Sequence, residues 1–560
     1  MKRALVLLIC ASLITACAPA AGASGGAVSF AVASDVHYEE PRESIAVEDG
    51  DGLYFHANRS CNMPDECPYI FEEFLRQCAD DENCRFVLLT GDNCSDGRGK
   101  RQDHIAFAKF LSDFEESSGK PVYVIPGNHD IGGGTRPEDT GPAEFKEIYD
   151  EFGYEEALTD TDYDASYTAD LPGNYRLIAL DSVSLTESTE DGMTLRKVMW
   201  VCDQTRQAKK DGREPILIMH HALLGHMPLH RLISRNFIVR FHNTTANLFA
   251  SAGIKLVFTG HEHGADAAVH TTPGGKRVYD LATGSLSMYP LTYRYVTLTD
   301  DEISYETRSV DKIDAARLTS EIGGYTGEQK ELIENDLEAY AKGMFAAGFK
   351  KRIGRSLSVE DTGLKPGGAL YALADAALSG ISGILDMPLY GKNSASELAA
   401  GYGIILPESG YATGWDLLCD LMSMHYAGGE DLELDGPEVT LFLRLVSLVL
   451  KTDLSAVTDA AFERAFSGLA GNTGALPTSD LIKLGTKVFG PVSPGEKFLL
   501  ALVSTVIYGF ISDGGIPDNN GTVPGYGADD TGIGAFADAA SELFNRFAII
   551  FAFILHTLTL

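Results

Sequence analysis

The sequence predicts a protein of the α/β class that continues into a mostly α-helical C-terminal region. Six short apolar runs, rich in β-branched residues, each end directly in Asp, His or Asn. Strands of an open α/β sheet have this form where they carry functional side chains. Segments with helical periodicity lie between several of these runs. Because the carboxyl ends of parallel strands meet at one edge of a sheet, we expect the polar residues after them to converge.

The clearest of these runs is Val122–Ile125. Pro126 and Gly127 end it with a turn. The three residues after the turn are Asn128, His129 and Asp130. An amide, an imidazole and a carboxylate are therefore predicted to lie together at the end of a buried strand.

The other five predicted strands have the same form. They cover Ser29–Ser34, Arg85–Thr90, Arg176–Leu180, Ile216–Met219 and Lys255–Thr259. The polar residues that follow them are, in order, Asp35 and His37, Asp92 and Asn93, Asp181, His220 and His221, and His261 and His263. Side chains from distant parts of the sequence are thus expected on one rim of the fold.

Helical periodicity fills much of the sequence between these strands. The predicted helices cover Tyr69–Gln77, Ile105–Phe114, Glu144–Phe152 and Met193–Lys210. Residues 38–68 have the composition of a loop-rich insertion, and Arg277–Thr307 alternates as an antiparallel closing sheet does. The strands and helices together favour an α/β domain over residues 28–310.

Asp and His at converging strand ends are suited to binding a pair of divalent cations. Two such ions, about 3.5–4 Å apart, need a bridging carboxylate together with imidazole and oxygen ligands. On an extended segment, residues two apart point to the same side, so Asp35 and His37 can bind one ion together. Imidazole ligands favour zinc, iron or manganese over calcium or magnesium.

Five motifs together resemble the signature of the calcineurin-like metallophosphoesterases, in the order of that family. They are Asp35-x-His37, Gly91-Asp92, Gly127-Asn128-His129-Asp130, His220 and Gly260-His261-x-His263. The resemblance covers roughly residues 28–308, about half of the chain. It implies a four-layer α/β/β/α metallophosphoesterase sandwich. Five motifs in order are far more specific than any one of them.

The resemblance also implies a role for each motif residue. Asp35, His37 and His263 would bind one metal ion, Asn128, His220 and His261 would bind the other, and Asp92 would bridge the two. A metal-bridging hydroxide would attack phosphorus in line. His129 would assist the leaving group, with Asp130 orienting its ring. The implied cofactors are two divalent metal ions (Mn, Fe or Zn), and the implied substrate is a small phosphoester.

The second motif narrows the resemblance within the family. Purple acid phosphatases carry a Tyr shortly after their Gly-Asp-Asn, whereas Cys94 follows Asn93 here. The chain therefore looks more like the phosphodiesterase-type branch. The choice between phosphomonoester and phosphodiester hydrolysis stays open. So does the alternative of a lipid-anchored binding protein that retains the fold, although its expected mark, loss of a ligand or of His129, is absent from the sequence.

The first residues have the pattern of a targeting segment. A basic start, Lys2 and Arg3, precedes an apolar core over Ala4–Ile14 that is too short to span a bilayer. The segment ends at Cys17 in a sequence that resembles a bacterial lipobox. We expect a lipoprotein signal peptide over 1–16, a tether over 17–27 and a lipid on Cys17. This predicts an exported protein of the bacterial cell envelope, anchored at the extracytoplasmic face of a membrane. The alternative is an ordinary signal peptide.

The remaining cysteines and the charge bear on partners. Cys61, Cys67, Cys78, Cys84 and Cys94 cluster around the second strand, and in an exported chain two disulfides among the first four are expected. Sequence does not choose their pairing, and a zinc knuckle is the competing interpretation. The formal charge of −34 argues against general binding to nucleic acid or anionic membrane. The oligomeric state stays open.

Residues 311–560 predict a helical domain of unknown role. Their helical segments are Glu328–Phe349, Ala369–Ile384, Glu438–Leu450, Leu454–Leu469 and Lys497–Ile511. Asp513–Asp530 has the composition of a solvated loop, and Phe547–Leu560 is apolar but too short to span a membrane. Outside the motifs, His56, His104, His226, His230, His242 and His270 are interpreted as surface or capping residues, with His226 as a possible phosphate contact.

Overall fold

The computed structural model describes residues 26–45, 52–132, 139–185, 192–227, 230, 236–356, 379–429, 432–433, 436–452 and 516–526. The predicted signal peptide, most of the tether including Cys17, and the segments Leu454–Leu469, Lys497–Ile511 and Phe547–Leu560 lie outside these ranges. Within the described residues, no helix has both the length and the apolar character needed to cross a membrane.

Thirteen strands are present among the described residues. They are β1 (Val28–Ala33), β2 (Cys84–Leu89), β3 (Val122–Val124), β4 (Thr159–Asp160), β5 (Tyr167–Leu171), β6 (Tyr175–Leu180), β7 (Glu214–Met219), β8 (Leu256–Thr259), β9 (Asp266–Thr271), β10 (Arg277–Ala282), β11 (Thr292–Leu298), β12 (Glu302–Ser309) and β13 (Asn520–Pro524). All six strands predicted before the polar motifs are among them, as β1, β2, β3, β6, β7 and β8.

The helices of the described residues surround these strands. They are α1 (Cys67–Asp80), α2 (Arg101–Ser118), α3 (Pro142–Ile148), α4 (Leu195–Lys210), α5 (His242–Ala252), α6 (Ala315–Glu321), α7 (Gly327–Asn335), α8 (Leu337–Ser356), α9 (Ala395–Gly401), α10 (Gly414–Tyr426) and α11 (Pro437–Thr452). A short π-helical turn, Asp150–Tyr154, follows α3. A further helical segment covers 379–386. The predicted α/β class is confirmed.

The strands form two sheets. The first has the order β13-β12-β11-β1-β2-β3, and the second has the order β4-β5-β6-β7-β8-β10-β9. β1, β2 and β3 run parallel, as do β6, β7, β8 and β10. Parallel strands that are covered on both faces are apolar along their whole length, and every residue of β1 and β6 is buried. The ends of the parallel strands supply the polar motifs.

The two sheets pack face to face between helices. Phe30 of β1 stacks on Phe86 at 4.5 Å between ring centroids and meets Phe258 of the second sheet at 5.7 Å. On the outer face of the first sheet, Phe74 of α1 contacts Tyr293 of β11 at 4.9 Å. On the outer face of the second, apolar residues of α4 and α5 share a core with β6, β7 and β8. This helix–sheet–sheet–helix arrangement positions the strand ends.

The C-terminal region joins the same structure in two ways. Leu318, Tyr340 and Phe345 are buried in the core that contains β1 and β2, whereas residues between Ile384 and Leu448 form a smaller core of their own. The single helix predicted over Glu328–Phe349 is two helices, because Asp336 interrupts it and its side chain accepts a hydrogen bond from the Ala339 amide. The domain boundary at residue 310 stays a prediction.

The segment predicted as a solvated loop, Asp513–Asp530, contains a strand. β13 pairs antiparallel with β12 and extends the first sheet at that edge. Val523 of β13 is buried, and Thr522 beside it is exposed. The sequence around β13 is polar because Val523 is the one residue of this strand whose side chain is buried. A strand with so little apolar pattern is not predicted from composition.

The expectation of disulfides is wrong for the described cysteines. No disulfide is formed among the described cysteines, which are all buried: Cys61, Cys67, Cys78, Cys84, Cys94, Cys202 and Cys419. Several thiols face backbone carbonyls within the core, as Cys67 does with Val36 at 3.0 Å. None of the metal-capable groups found in the described residues contains Cys61, Cys67, Cys78 or Cys84, so these four do not form the alternative zinc knuckle.

Candidate metal centre

The loops after β1 and β2 continue side by side beyond the sheet. The amide of Asp35 donates to the Gly91 carbonyl at 3.0 Å, and that of His37 donates to the Asp92 carbonyl at 2.9 Å. Across the two sheets, the His261 amide donates to Oδ2 of Asp35 at 2.8 Å. Backbone pairing thus fixes the first two loops against each other, and the carboxylate of Asp35 joins the third loop to them.

Glycines allow this close approach. A Cβ on Gly127 would lie 2.2 Å from the Asp92 amide nitrogen, and one on Gly260 would lie 1.8 Å from Oγ of Ser34. A Cβ on Gly91 would lie 2.7 Å from the Gly127 nitrogen. No side chain fits at these distances. The Gly residues beside the polar motifs therefore serve packing as well as turn geometry.

Five predicted metal ligands have left-handed backbone conformations. The φ angles are +51° at Asp35, +50° at His37, +50° at Asp92, +68° at His261 and +61° at His263. Non-glycine residues rarely adopt positive φ, and such strain concentrates at functional sites where the surrounding structure holds it. The sequence gives no sign of this conformation, because Asp and His are unremarkable after a strand.

The structure brings Asp35, His37 and His263 together. Their ligand atoms lie within 4.8 Å of one another. Nε2 of His263 is 3.3 Å from Oδ1 of Asp35, and the Nε2 atoms of His37 and His263 face each other at 3.0 Å. Oδ1 of Asp35 is buried without a hydrogen-bond partner.

A second group forms around Asp92, His220 and His261, with ligand atoms again within 4.8 Å. Nε2 of His220 lies 3.2 Å from Oδ2 of Asp92 and 3.1 Å from Oδ1 of Asn128. Oδ2 of Asp92 is also 3.9 Å from Nε2 of His37 in the first group. Asp92 therefore lies between the two groups, and all seven predicted ligand positions are accounted for.

The donor set fits a pair of cations. Nδ1 of His220 faces the Thr90 carbonyl at 3.0 Å and donates to it, so Nε2 is the ring nitrogen that faces the oxygens of Asp92 and Asn128. In the first group, an unpartnered carboxylate oxygen and two facing imidazole nitrogens meet in the same way. Buried acceptor atoms gathered this closely are stabilised by a cation between them.

The electrostatics of the groups agree with this arrangement. Burial acts to raise the pKa of the Asp92 carboxyl, but His220 and His129 outweigh it and hold the pKa well below its usual range. Burial and the charge of His263 lower the pKa of His37 to about 3. Burial and the charge of His220 lower the pKa of His261 to about 4. Ionised carboxylates and neutral imidazoles are the forms that bind divalent metals. His220 is the exception, since burial lowers its pKa but the carboxylate of Asp92 outweighs this and raises the pKa to about 9, so a metal ion would have to displace its proton.

His129 lies beside the groups, exposed at the floor of the cleft. Its ring meets that of His37 edge-on at 4.9 Å between centroids. Its backbone amide donates to Oδ1 of Asp92 at 2.7 Å, and its Nδ1 donates to the Ser95 carbonyl at 2.8 Å. The ring is oriented by this carbonyl, which leaves Nε2 as the remaining ring nitrogen.

The expected role of Asp130 in orienting the His129 ring is therefore wrong. Asp130 is fully buried, and its Oδ2 accepts hydrogen bonds from the Asn93 amide, the Asn93 side chain and the Gly127 amide at 2.8–3.1 Å. Its Oδ1 accepts from the Cys94 amide at 2.9 Å. Asp130 instead joins the loops after β2 and β3, and it positions Asp92 and His129 through their backbones.

Cys94, His104 and Asp130 form a further group of metal-capable residues. His104 is buried, in contrast to the surface position expected, and its Nε2 meets the Asp130 carbonyl at 2.9 Å. Its Nδ1 meets the Tyr149 hydroxyl at 2.8 Å. Because the carboxylate oxygens of Asp130 already accept four hydrogen bonds, this group supports the loop rather than offering a cation site.

The other histidines outside the motifs are also buried in part. His226, considered a phosphate contact, lies instead between Asp266 at 2.9 Å and Asp280 at 3.4 Å, which corrects that interpretation. His230 pairs with Glu262 at 2.6 Å, and His56 lies 3.5 Å from Glu66. His221 contacts Ser182 at 2.8 Å and the His261 ring at 4.6 Å, as expected for a residue behind the ligands.

A cavity of about 740 Å³ opens above the two groups. Its lining includes His37, Asp92, His129, His261 and His263. Sequence reasoning missed the residues that complete it, which are Asn58, Arg59, Ser60, Cys61, Asn62, Ser95, Phe237, Glu262, Met288, Phe349, Arg352 and Tyr426. Asn58–Asn62 come from the insertion before α1, Phe349, Arg352 and Tyr426 come from the C-terminal helices, and the remaining four come from loops of the catalytic fold.

Comparison with known proteins bears on the same part of the chain. The family model for calcineurin-like phosphoesterases matches residues 28–265. No curated protein matches the chain. A solved dimetal phosphatase from Danio rerio is similar at 12% identity and a TM-score of 0.36, covering 50% of this chain and 96% of that one. The NAD nucleotidase of Haemophilus influenzae is similar at 13% identity and a TM-score of 0.31, covering 59% and 61% respectively.

Proposed function

Because residues 28–265 belong to the calcineurin-like phosphoesterase family, we propose that this metal-dependent phosphoester hydrolase cleaves small phosphodiesters or phosphomonoesters in the cleft above Asp92. The observation that carries the proposal is the position of Asp92 between two groups of ligands. A bridging carboxylate with imidazoles on both sides is what a pair of divalent ions requires.

Each residue then has a definite task. Asp35, His37 and His263 would hold one ion, Asn128, His220 and His261 the other, and Asp92 would bind both. Such a pair of ions supplies Lewis acidity, an activated water and a clamp on phosphoryl oxygens. His129, fixed through Nδ1 by the Ser95 carbonyl, can present Nε2–H to the oxygen of the leaving group. Manganese, iron and zinc all suit these ligands.

The carboxylate of Asp92 influences the protonation of the His129 imidazole. The carboxylate of Asp92 raises the pKa of His129 above its ordinary value, against the opposing effect of burial. A protonated imidazole can donate a proton to a departing alkoxide or stabilise charge on a phosphoryl oxygen. Because two cations on Asp92 would neutralise this charge, the assignment of His129 rests on geometry, with Nδ1 held by the Ser95 carbonyl and Nε2 left for the leaving group.

Replacement of Asp92 tests the proposal. Asp92→Asn removes the charge that both ions share, so hydrolysis of bis-p-nitrophenyl phosphate and of p-nitrophenyl phosphate in manganese is expected to fall by at least about 100-fold. Metal analysis should find near two ions per wild-type chain and fewer in the variant. Asp96→Asn, an exposed carboxylate on the neighbouring loop, is the control and should change neither. Unchanged turnover by Asp92→Asn would contradict the proposed site.

The proposal extends to the location of the protein. A lipid on Cys17, which follows an apolar segment of signal-peptide length, would hold the catalytic domain outside the cytoplasm. The tether over 17–27 would leave the cleft free to meet soluble substrates. Metabolic labelling with a radioactive fatty acid should mark the wild-type protein, and Cys17→Ser should abolish the label. Labelling that persists in Cys17→Ser would contradict the anchor.

A further inference from the structure

We propose that the cleft recognises a second anionic group on the substrate, beyond the phosphate that is cleaved, through Arg59 and Arg352. The substrate class would then be phosphoesters that also carry a phosphate or a carboxylate. This inference rests on the proposed hydrolase function, and it adds a specificity site contributed by the insertion before α1 and by α8, of which α8 lies outside the family match.

Arg59 and Arg352 line the same cavity as the candidate metal ligands. Arg59 belongs to the insertion before α1, and Arg352 belongs to α8. Arg59 and Arg352 are the two arginines in the lining of this cavity. The chain as a whole has a formal charge of −34. A guanidinium presents a planar set of N–H donors that matches phosphate and carboxylate oxygens. In a protein with this net negative charge, positively charged side chains in the cavity lining indicate that the cavity binds an anion.

The two arginines lie on a common wall. Gly348 of α8 packs directly on the insertion, since a Cβ there would be 2.3 Å from the Asn58 carbonyl oxygen. Lys351 fixes the same contact by donating to the carbonyls of Phe55 and Ala57, each at 2.8 Å. Burial raises the pKa of the Cys61 thiol, and the charge of Arg352 opposes this rise, which places the guanidinium near the insertion.

Unpartnered polar atoms on this wall point to a ligand. Asn62 is 5% exposed, lines the cavity, and has a buried Oδ1 without a hydrogen-bond partner. Oδ1 of Asn58, also in the lining, is buried and unpartnered too. Buried amide oxygens are normally satisfied, so a ligand with O–H or N–H groups is expected beside the anion site. Two guanidinium groups and two unpartnered amide oxygens together indicate a substrate that is both polar and anionic.

The scissile phosphate does not account for these groups. It would lie against the metal ligands and His129, which come from the strand ends. Arg59, Arg352, Asn58 and Asn62 come from the insertion and α8. A cavity of about 740 Å³ is larger than one phosphoryl group needs and is of the size that binds a whole small molecule.

Matched aryl phosphates test the inference. The substrates are para-carboxyphenyl, para-phosphonophenyl and para-(methoxycarbonyl)phenyl phosphate, each also as its methyl diester, so that either type of esterase is assayed. They share one ring and differ in the second group, which is a carboxylate, a phosphonate or a neutral ester. Arg59→Gln and Arg352→Gln should each raise KM for the anionic substrates about tenfold relative to wild type. The KM for the neutral ester should stay unchanged.

The outcomes separate the inference from the proposed function. Lys350→Gln removes a charge from the same helix, where Lys350 pairs with Asp386 away from the cavity, and should change no KM. Equal KM changes for all three substrates would assign the arginines to the scissile phosphate and overturn the inference. So would no change for any of them. Wild-type protein that hydrolyses none of the six compounds would instead contradict the proposed function.

A binding measurement does not depend on turnover. Calorimetric titration of metal-free protein with para-hydroxyphenylphosphonate, the product that carries the second anion, should show binding that Arg59→Gln and Arg352→Gln each weaken about tenfold. The methyl ester of para-hydroxybenzoate should bind equally to wild type and variants. Equal affinity of the phosphonate for wild type and both variants would overturn the inference. The relative strength of phosphonate and para-hydroxybenzoate binding then indicates whether phosphate or carboxylate is the preferred anion.

Discussion

Gly127 sets the distance between the loops after β2 and β3. A Cβ at this position would lie 2.2 Å from both the amide nitrogen and Oδ1 of Asp92. Gly127→Ala must therefore displace Asp92, and a displacement of about 1 Å at a catalytic group can cost about 100-fold in rate. We expect a loss of that size in kcat on bis-p-nitrophenyl phosphate, with fewer metal ions bound.

Gly141→Ala is the matched control for this change. A Cβ at Gly141 would meet no atom within 4 Å, and the φ angle there, −97°, suits any residue. Its kcat and metal content should equal those of wild type. A Gly127→Ala protein with full activity would show that Asp92 does not need its observed position.

Asp130 is predicted to act through the loops rather than through the His129 ring. Asp130→Asn places an amide among four N–H donors and leaves at least one of them facing another donor, at a cost of about 3 kcal/mol in the free energy of unfolding. His129→Ala should reduce kcat without this loss, because its exposed ring supports no core contact. Urea unfolding and steady-state kinetics on the two variants check the difference. Wild-type stability of Asp130→Asn would refute the assignment.

At the scale of residues, the sequence predicted which side chains lie together, but it did not predict the hydrogen bonds that orient them. The seven predicted ligands converge because each follows a strand whose end is fixed by sheet pairing. The orientation of the His129 ring depends on a backbone carbonyl, Ser95, and a carbonyl has no sequence signature. The position of Asp130 next to His129 in sequence predicts a contact with the His129 ring. In the structure, Asp130 accepts hydrogen bonds from backbone amides instead.

Among the elements, β3 is tied to α2 by one carboxyl group. Oε1 of Glu115, near the end of α2, accepts a hydrogen bond at 2.6 Å from the amide of Val122, the first residue of β3. Burial raises the pKa of Glu115 from 4.5 to about 7. The folded state therefore binds a proton more tightly than the unfolded state does.

This raised pKa predicts a pH dependence of stability. The contribution of protonated Glu115 is fully present below pH 4.5 and is lost as the pH rises through about 7. Glu115→Gln keeps an acceptor for Val122 but does not titrate, so its stability should fall less than that of wild type across this window. Urea unfolding at several pH values measures the difference. Glu116→Gln, an exposed neighbour, should follow wild type, and identical profiles for all three proteins would contradict the prediction.

Elements were predictable where local pattern decided them. The six strands before the motifs are apolar along their length, which leaves little choice of structure. The helix predicted over Glu328–Phe349 failed at Asp336, where the side chain caps the following helix. Asp is a weak helix former and a strong N-cap, but hydrophobic periodicity is insensitive to this difference at a polar position.

At the scale of the whole molecule, the catalytic sheet is completed from the far end of the chain. β13 covers the edge of β12, and Asn519 donates to the carbonyls of Ala427 and Gly428 beyond α10. Tyr526 donates to the carbonyl of Pro215 in β7, at 3.0 Å. The contacts of β13 with β12 and of Tyr526 with Pro215 each join residues more than two hundred positions apart and have no local signal, so they lay beyond what the sequence alone could predict.

Substitutions on the buried face and on the exposed face of β13 test whether this strand packs against the first sheet. Val523 is 4% exposed and belongs to the core that contains β1 and β2, whereas Thr522 points to solvent. Val523→Asp buries a charge without a partner and should lower the free energy of unfolding by about 3–5 kcal/mol. Because that core carries the strands that end at Asp35 and Asp92, activity should be lost at a lower temperature as well.

Thr522→Asp introduces the same side chain one residue away on the opposite face. Its thermal unfolding and its hydrolysis of bis-p-nitrophenyl phosphate should match those of wild type. If β13 were not part of the sheet, the two aspartates would have equal effects. A selective loss in Val523→Asp would therefore show that residues near the C-terminus stabilise the domain that carries the metal ligands, and that this domain does not end at residue 310.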